Sequence, residues 1–307
     1  MRQGDEQRVF PEVDRLVARG EAHVWWWRSP DRVEPDDLRL LATAEFRRAL
    51  SLLSERDAAE FVHTRAGARR ALGGLLGVAP AEVSLGRRRC PGCGSDGHGP
   101  PQLDHPAVPL AISLSRTAGW GVFAVGAGPA IGIDAEELRP VREALLSDTV
   151  LTVAERGHLD AVAAGSARQR AFHRVWTRKE AVVKAVGVGL AGTELGRLET
   201  LPEREGPVRV THHAADRASA WTVQDLPLAD HLAVALARPV GPAARGAVHL
   251  HPRHSPGMAP ATVPSPRVTA SPPARATAPR RPAGPRRATS RVPVRPDHAR
   301  GARHGRP

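Results

Sequence analysis

FHRVWTRKEAVVKAVGVGL, Phe172 to Leu190, holds the only two lysines of the chain, Lys179 and Lys184. The other 42 of its 44 basic residues are arginines, so two lysines in one short stretch call for a specific use. A lysine ammonium is a compact point charge, whereas arginine is a planar fork that stays protonated. Trp176, Glu180 and Lys184 recur at i, i+4 and i+8 and share one face of a predicted helix. Phe172, Val175, Val182, Val183 and Val186 supply an apolar side, and Gly187 and Gly189 stop the helix. Taken alone, the Glu–Lys pair reads as an ordinary surface pair on an amphipathic helix.

An acidic cluster upstream changes that reading. Residues 130–136 are AIGIDAE, with Ile131, Ile133, Asp134 and Glu136 in period-two alternation. In a strand Asp134 and Glu136 point the same way and repel unless a cation lies between them. Glu180 adds a third carboxylate. Three carboxylates with no Cys or His donor beside them suit a hard divalent ion, Mg²⁺ first and Mn²⁺ as its substitute.

The pair of motifs, Ile131–Glu136 and Trp176–Lys184 forty positions further on, resembles the Sfp-type 4′-phosphopantetheinyl transferases. That family carries (I/V)G(I/V)DxE followed by (W/F)xxKEAxxK. The resemblance covers about residues 22–240. It implies an α+β fold of two similar halves related by a pseudo-twofold, with the active site between them. The halves are expected at about 22–125 and 126–240. It also implies coenzyme A as co-substrate, an apo acyl or peptidyl carrier protein as acceptor, and Mg²⁺ held by Asp134, Glu136 and Glu180. Glu180 and Lys184 are the expected catalytic residues, the first for the serine proton and the second for charge on the phosphates. Lys179, one position off that face, is expected to reach coenzyme or carrier.

Other positions match the family's coenzyme site in part. A helix predicted over about Glu55 to Leu76 carries Arg65, Arg69 and Arg70. Arg65 and Arg69 match the basic positions of a GRxxxR helix, with Thr64 where glycine is usual, and are expected at the coenzyme phosphates. The alternative is a solvated helix face. Ser115 and Trp120 fit an S-H-S-x-x-W pattern, with Arg116 in place of histidine and Thr117 in place of the second serine. Ser115 and Arg116 are expected at the pyrophosphate, which arginine binds bidentately. The family's HGKP is HGPP here, with Pro100 at the lysine position. These departures leave open a catalytically decayed relative that only docks carrier proteins. CPGCGSDGH, residues 90–98, offers three ligands of a zinc site without an assignable fourth; a glycine-rich loop with two thiols is the simpler expectation.

Charge is unevenly placed. The formal net charge is +12, yet residues 241–307 hold 13 arginines against Asp297 alone, and residues 1–240 balance 31 basic with 31 acidic side chains. The Pro-, Ala- and Arg-rich segment 241–307 is expected to be a disordered tail. Its only expected role with nucleic acid is non-specific contact, and a polyanion-binding protein acting through that tail is the reading from another class. Residues 1–21 are read as an extension. Ala22–Trp27 reads as a strand, Pro35–Leu53 as one helix, and Val108–Leu114 and Trp120–Val125 as strands. Val208–Thr211, Ala220–Gln224 and Leu232–Ala237 are short strands of the second half. Two cysteines imply no disulfide framework. No signal peptide or apolar span is read, and a cytoplasmic monomer is expected.

Overall fold

In the computed structural model the described residues are 8–140, 149–214 and 218–253. Chain contacts divide the protein between residues 260 and 261, and all described residues belong to the first unit.

Helix α1 (Pro11–Arg19) is the first described element and strand β1 (Ala22–Arg28) follows. The single helix expected over Pro35–Leu53 is two short ones, α2 (Pro35–Leu38) and α3 (Thr43–Leu50). The long helix α4 (Glu55–Leu76) has the limits the sequence suggests. Ser54 caps it by accepting the Asp57 N–H, and Gly77 ends it at φ +64°. A small hairpin-like pair, β2 (Ser84–Arg87) and β3 (Pro101–His105), carries the CPGCGSDGH loop between its strands. Then come β4 (Leu110–Thr117), β5 (Trp120–Ala127) and β6 (Gly132–Glu137). Helices α5 (Val153–Ala161) and α6 (Ser166–Val186) lead to β7 (Val208–His213), β8 (Ala218–Asp225), β9 (Leu232–Pro239) and β10 (Val248–Pro252).

Two four-stranded sheets result, in the orders β10-β1-β5-β4 and β6-β9-β8-β7. Alternation along the strands assigns their faces. Ala22, Val24, Val122 and Ala124 of the first sheet meet Ile133, Ala135, Val234 and Leu236 of the second in one buried cluster. The opposite faces take the long helices. Trp25, Trp27, Phe123 and Val125 pack with Ala68, Ala71 and Leu72 of α4. Val223, Ala235 and Ala237 pack with Ala181, Val182 and Ala185 of α6. The order is therefore helix, sheet, sheet, helix.

The described residues on either side of 22–240 take a larger part than the sequence suggests. Within the expected extension, residues 8–21 are not a mere appendage: Val13 and Leu16 of α1 lie in the first core at 1% and 2% exposure. The expected tail boundary at residue 241 also moves. β10 pairs in parallel with β1, Val248 opposite Ala22, and Arg238 donates to the carbonyls of Gly20 and Gly246. The expectation of disorder then falls on residues 254–307, outside the described residues. Among the described residues no helix is long and apolar enough to cross a membrane.

Candidate active site

The two sheets meet edge to edge at β4 and β6, and no backbone ladder joins them. Instead Ser113, Ser115 and Thr117, alternate residues of β4, accept hydrogen bonds from β6. The donors are the N–H groups of Ile133 (3.1 Å), Ala135 (3.2 Å) and Glu137 (3.2 Å). Three hydroxyls thus satisfy an edge that would otherwise present unpaired donors.

Across β6 lies α6. Gly132 is the contact point: a Cβ there would stand 1.9 Å from the Ala181 carbonyl oxygen. Only glycine lets the helix lie this close to the strand. Asp134 and Glu136 follow Gly132 in period two and share its helix-facing side. Glu180 and Lys184, one turn apart on α6, face them.

The contacts are specific. Lys184 Nζ donates to Asp134 Oδ1 at 2.6 Å and to Ser115 Oγ at 3.0 Å, and the Ser115 hydroxyl donates to Asp134 Oδ1 at 3.0 Å. Thr117 Oγ1 donates to Glu136 Oε2 at 3.3 Å. Asp134 is 4% exposed, and its Oδ2 is buried with no protein partner. Burial, and then the Asp134 carboxylate, push Glu180 up to about 7, with Lys184 opposing and Glu136 adding to the rise. Burial and Asp134 also raise Glu136. Partly desolvated carboxylates that raise one another, with one oxygen left over, fit a divalent cation, whose charge removes the repulsion. Their donor atoms are not drawn into a tight cage. Among the described residues, sets of three donors mutually within 4.8 Å are Cys90, Cys93, His98 and Glu21, His23, His249.

A second group of charges sits on the other face of β4. Arg116 points away from Ser115, with its guanidinium 5.9 Å from the centre of the Phe61 ring of α4. Arg65 lies over the same ring at 5.5 Å. Burial lowers the Arg65 pKa, and the nearby charges of Arg87, Arg69 and Arg116 lower it further, against Glu45. Guanidiniums crowded in this way attract anions.

Two expected coenzyme contacts are corrected. Lys179 is fully buried and spends its three donors inside the fold, on Glu155 Oε2 (2.7 Å) and the carbonyls of Leu195 (2.7 Å) and Leu198 (2.6 Å). It cannot reach coenzyme or carrier. Arg69, 2% exposed, donates to Glu45 Oε2 (2.7 Å), the Val83 carbonyl (3.2 Å) and the Arg65 carbonyl (3.3 Å), so it braces α4 instead of meeting a phosphate. Nor are these arginines a solvated face, since Arg70 pairs with buried Asp37 at 2.5 Å. Pro100, at the expected lysine position, lies against Gly187 beyond the end of α6.

Sequence reasoning missed Arg178. It is fully buried, forks onto Asp225 at 2.9 and 2.7 Å, and donates to the carbonyls of Thr200, Leu201 and Arg204. All five of its donors are used, so Arg178 and Lys179 together bolt α6 in place. Ser113 was also missed, although the Ser113-x-Ser115-x-Thr117 alternation was there to read.

Comparison with known proteins converges on the same residues. Residues 130–237 match the model of the 4′-phosphopantetheinyl transferase superfamily, a span that contains Asp134, Glu136, Glu180 and Lys184. An L-aminoadipate-semialdehyde dehydrogenase-phosphopantetheinyl transferase of Eremothecium gossypii is 34% identical over 185 residues. That match covers 54% of this chain and 63% of the relative, so the chain spans less than two thirds of that protein. The 4′-phosphopantetheinyl transferase HetI of Nostoc sp. is 27% identical over 221 residues, 71% of this chain and 87% of HetI. The span matched to that superfamily model, residues 130–237, is the one that α6 and β6 fold into a carboxylate and lysine cluster, and it is there that the chain is similar to the 4′-phosphopantetheinyl transferases.

Proposed function

We propose that this protein transfers 4′-phosphopantetheine from coenzyme A to a serine hydroxyl of an apo carrier protein, with 3′,5′-ADP as the leaving product. The observation that carries the reading is the meeting of Asp134 and Glu136 with Glu180 and Lys184 beside Ser115, at the seam of the two sheets.

Asp134, Glu136 and Glu180 would hold Mg²⁺, or Mn²⁺ in its place. When bound, the ion supplies Lewis-acid neutralisation of diphosphate charge. The protein supplies the rest. Ser115 and Lys184 fix one oxygen of Asp134 and leave the other open. Lys184 places a cation where charge develops on the phosphates. The serine oxygen forms a bond to the β-phosphorus of coenzyme A, the bond to the 3′,5′-ADP oxygen breaks, and the serine proton passes to the Glu180 carboxylate. Arg65, Arg87 and Arg116 form the cationic patch for the remaining coenzyme phosphates. We take the protein to act as a cytoplasmic monomer on carrier domains of secondary-metabolite synthesis.

The test is the intact mass of a purified apo peptidyl carrier domain after incubation with the protein, coenzyme A and Mg²⁺, with and without chelator. A gain of one phosphopantetheine that chelator abolishes supports the reading. No gain on several carrier types, with carrier binding retained and coenzyme binding absent, gives the decayed relative, which the uncharged contact of Pro100 with Gly187 favours.

A further inference from the structure

The loop between β2 and β3 has no part in that chemistry, yet it is built with care. Cys90, Cys93 and His98 bring one donor atom each to within 4.8 Å of one another, and Cys93 Sγ lies 3.1 Å from His98 Nε2. Both cysteines are free thiols, Cys90 buried and Cys93 exposed. A tetrahedral ion with metal–sulfur bonds of about 2.3 Å needs its sulfurs roughly 3.8 Å apart, within the span observed.

The backbone is shaped around the first sulfur. The Cys90 N–H donates to the Ser95 carbonyl at 2.9 Å, and the Gly94 N–H donates to the Cys90 carbonyl at 2.8 Å. Gly94 takes φ +71°, which turns the chain directly after Cys93. The N–H groups of Cys93 and Gly92 are directed at the Cys90 sulfur. Asp96 is committed to Arg89, at 2.8 and 3.2 Å, and is not a further donor. Among the described residues the set holds three donors, so a fourth position is left to solvent.

This loop touches the helix that carries the active site. Gly92 lies where a Cβ would be 3.3 Å from Val188, and Pro100 packs against Gly187, both just past the end of α6. Most loop residues are exposed, so little apolar burial holds it there. Two thiols and an imidazole are a soft donor set, suited to zinc and not to the Mg²⁺ of the carboxylates.

We propose that Cys90, Cys93 and His98 bind one zinc ion, with its fourth position open to water, and that the ion clips the β2–β3 loop onto the C-terminal end of α6. The site is separate from Asp134, Glu136 and Glu180 and does not depend on the transferase reading.

The experiment uses the full chain, purified reduced and without chelator. Elemental mass spectrometry should find one equivalent of zinc per chain. Stripping the protein and titrating with Co²⁺ should produce the thiolate-to-cobalt charge-transfer absorption. The other candidate metal groups contain no sulfur, so this band reports on the loop alone. Cys93→Ser and His98→Asn change exposed side chains, and circular dichroism will check that each variant is folded. Cys93→Ser should weaken the band and lower the zinc content, and His98→Asn should lower the zinc content. Trypsin should cut at Arg87, Arg88 or Arg89 faster after stripping. A reduced wild-type chain with neither zinc nor a sulfur–cobalt band overturns the proposal, as does an intact Cys90–Cys93 disulfide in freshly purified zinc-free protein. Zinc binding with unchanged proteolysis overturns the clip.

Discussion

Glu180→Gln keeps the shape of the side chain and removes its charge. In the folded protein the Glu180 pKa rises from its ordinary 4.5 to about 7, through burial and the Asp134 carboxylate. The folded chain therefore binds more protons than the unfolded chain between those values, and its stability falls as pH rises through that window. Below about pH 4 both states are protonated and the charge costs nothing. Above about pH 7.5 the whole cost is present. At about 1.4 kcal/mol per pKa unit the upper bound is about 3 kcal/mol. Glu180 is only partly buried, and solvent screening brings the share to about 1–2 kcal/mol.

Glutamine escapes this cost. In chelator, urea denaturation should show Glu180→Gln more stable than wild type by about 1–2 kcal/mol at pH 8, with the gap closing towards pH 4. Adding Mg²⁺ should reverse the order. An ion at a hundredfold excess over its Kd stabilises the native state by about 2.7 kcal/mol, and the variant, lacking one carboxylate, should gain far less. The same variant should leave an apo carrier unmodified. Equal stability of the two proteins at every pH, or equal Mg²⁺ stabilisation, would refute the reasoning, because both rest on Glu180 facing Asp134 from α6.

Three further outcomes follow from the contacts described. Lys179→Met strands the buried Glu155 carboxylate and should cost about 3–5 kcal/mol of stability, measured by urea denaturation; a stable variant with raised KM for coenzyme A would restore the coenzyme role instead. Ending the chain after residue 253 should leave the Tm unchanged, whereas ending it after residue 240 removes β10 with the half-buried Val248 and Leu250 and should cost about 2–4 kcal/mol. Arg65→Ala and Arg116→Ala should each raise KM for coenzyme A roughly ten- to hundredfold, the worth of one charged hydrogen bond, with kcat little changed; unaltered KM in both removes the arginine patch from the coenzyme site.

What could be read from the sequence was local. The C-terminal ends of α4 and α6 follow from Gly77 and Gly187, and the shared side of Asp134 and Glu136 follows from strand alternation. What escaped depends on chain that arrives from elsewhere. A helical wheel places Lys179 one step from the active face. It cannot show that Glu155 of α5 and the carbonyls of Leu195 and Leu198 close over its ammonium. Arg69 misled in the same way, because Glu45 and the Val83 carbonyl come from other elements. α1 enters the core through two buried side chains, Val13 and Leu16, too few to be distinguished from a polar extension. β10 is set in Pro-, Ala- and Arg-rich sequence, and only its partner strand makes it a strand.

The seam itself explains why the site lies there. A backbone ladder between β4 and β6 would bring the strands to about 4.8 Å and merge the sheets. Side-chain hydroxyls in place of that ladder satisfy the β6 N–H groups and keep the two edges apart by the depth of a side chain. Of the three, Ser115 alone also touches Asp134 and Lys184. Ser113→Ala and Ser115→Ala should therefore cost similar stability, about 1–3 kcal/mol each for one orphaned N–H. Their effects on Mg²⁺ should differ. Loss of Ser115 frees the Asp134 oxygen and leaves Lys184 as its sole partner, so the Mg²⁺ affinity should change, while Ser113→Ala should leave it at the wild-type value. Isothermal titration of Mg²⁺ into each folded variant separates the two roles. An equal change in both variants would mean that the seam acts only by holding the sheets together, and that Ser115 has no particular part in positioning Asp134.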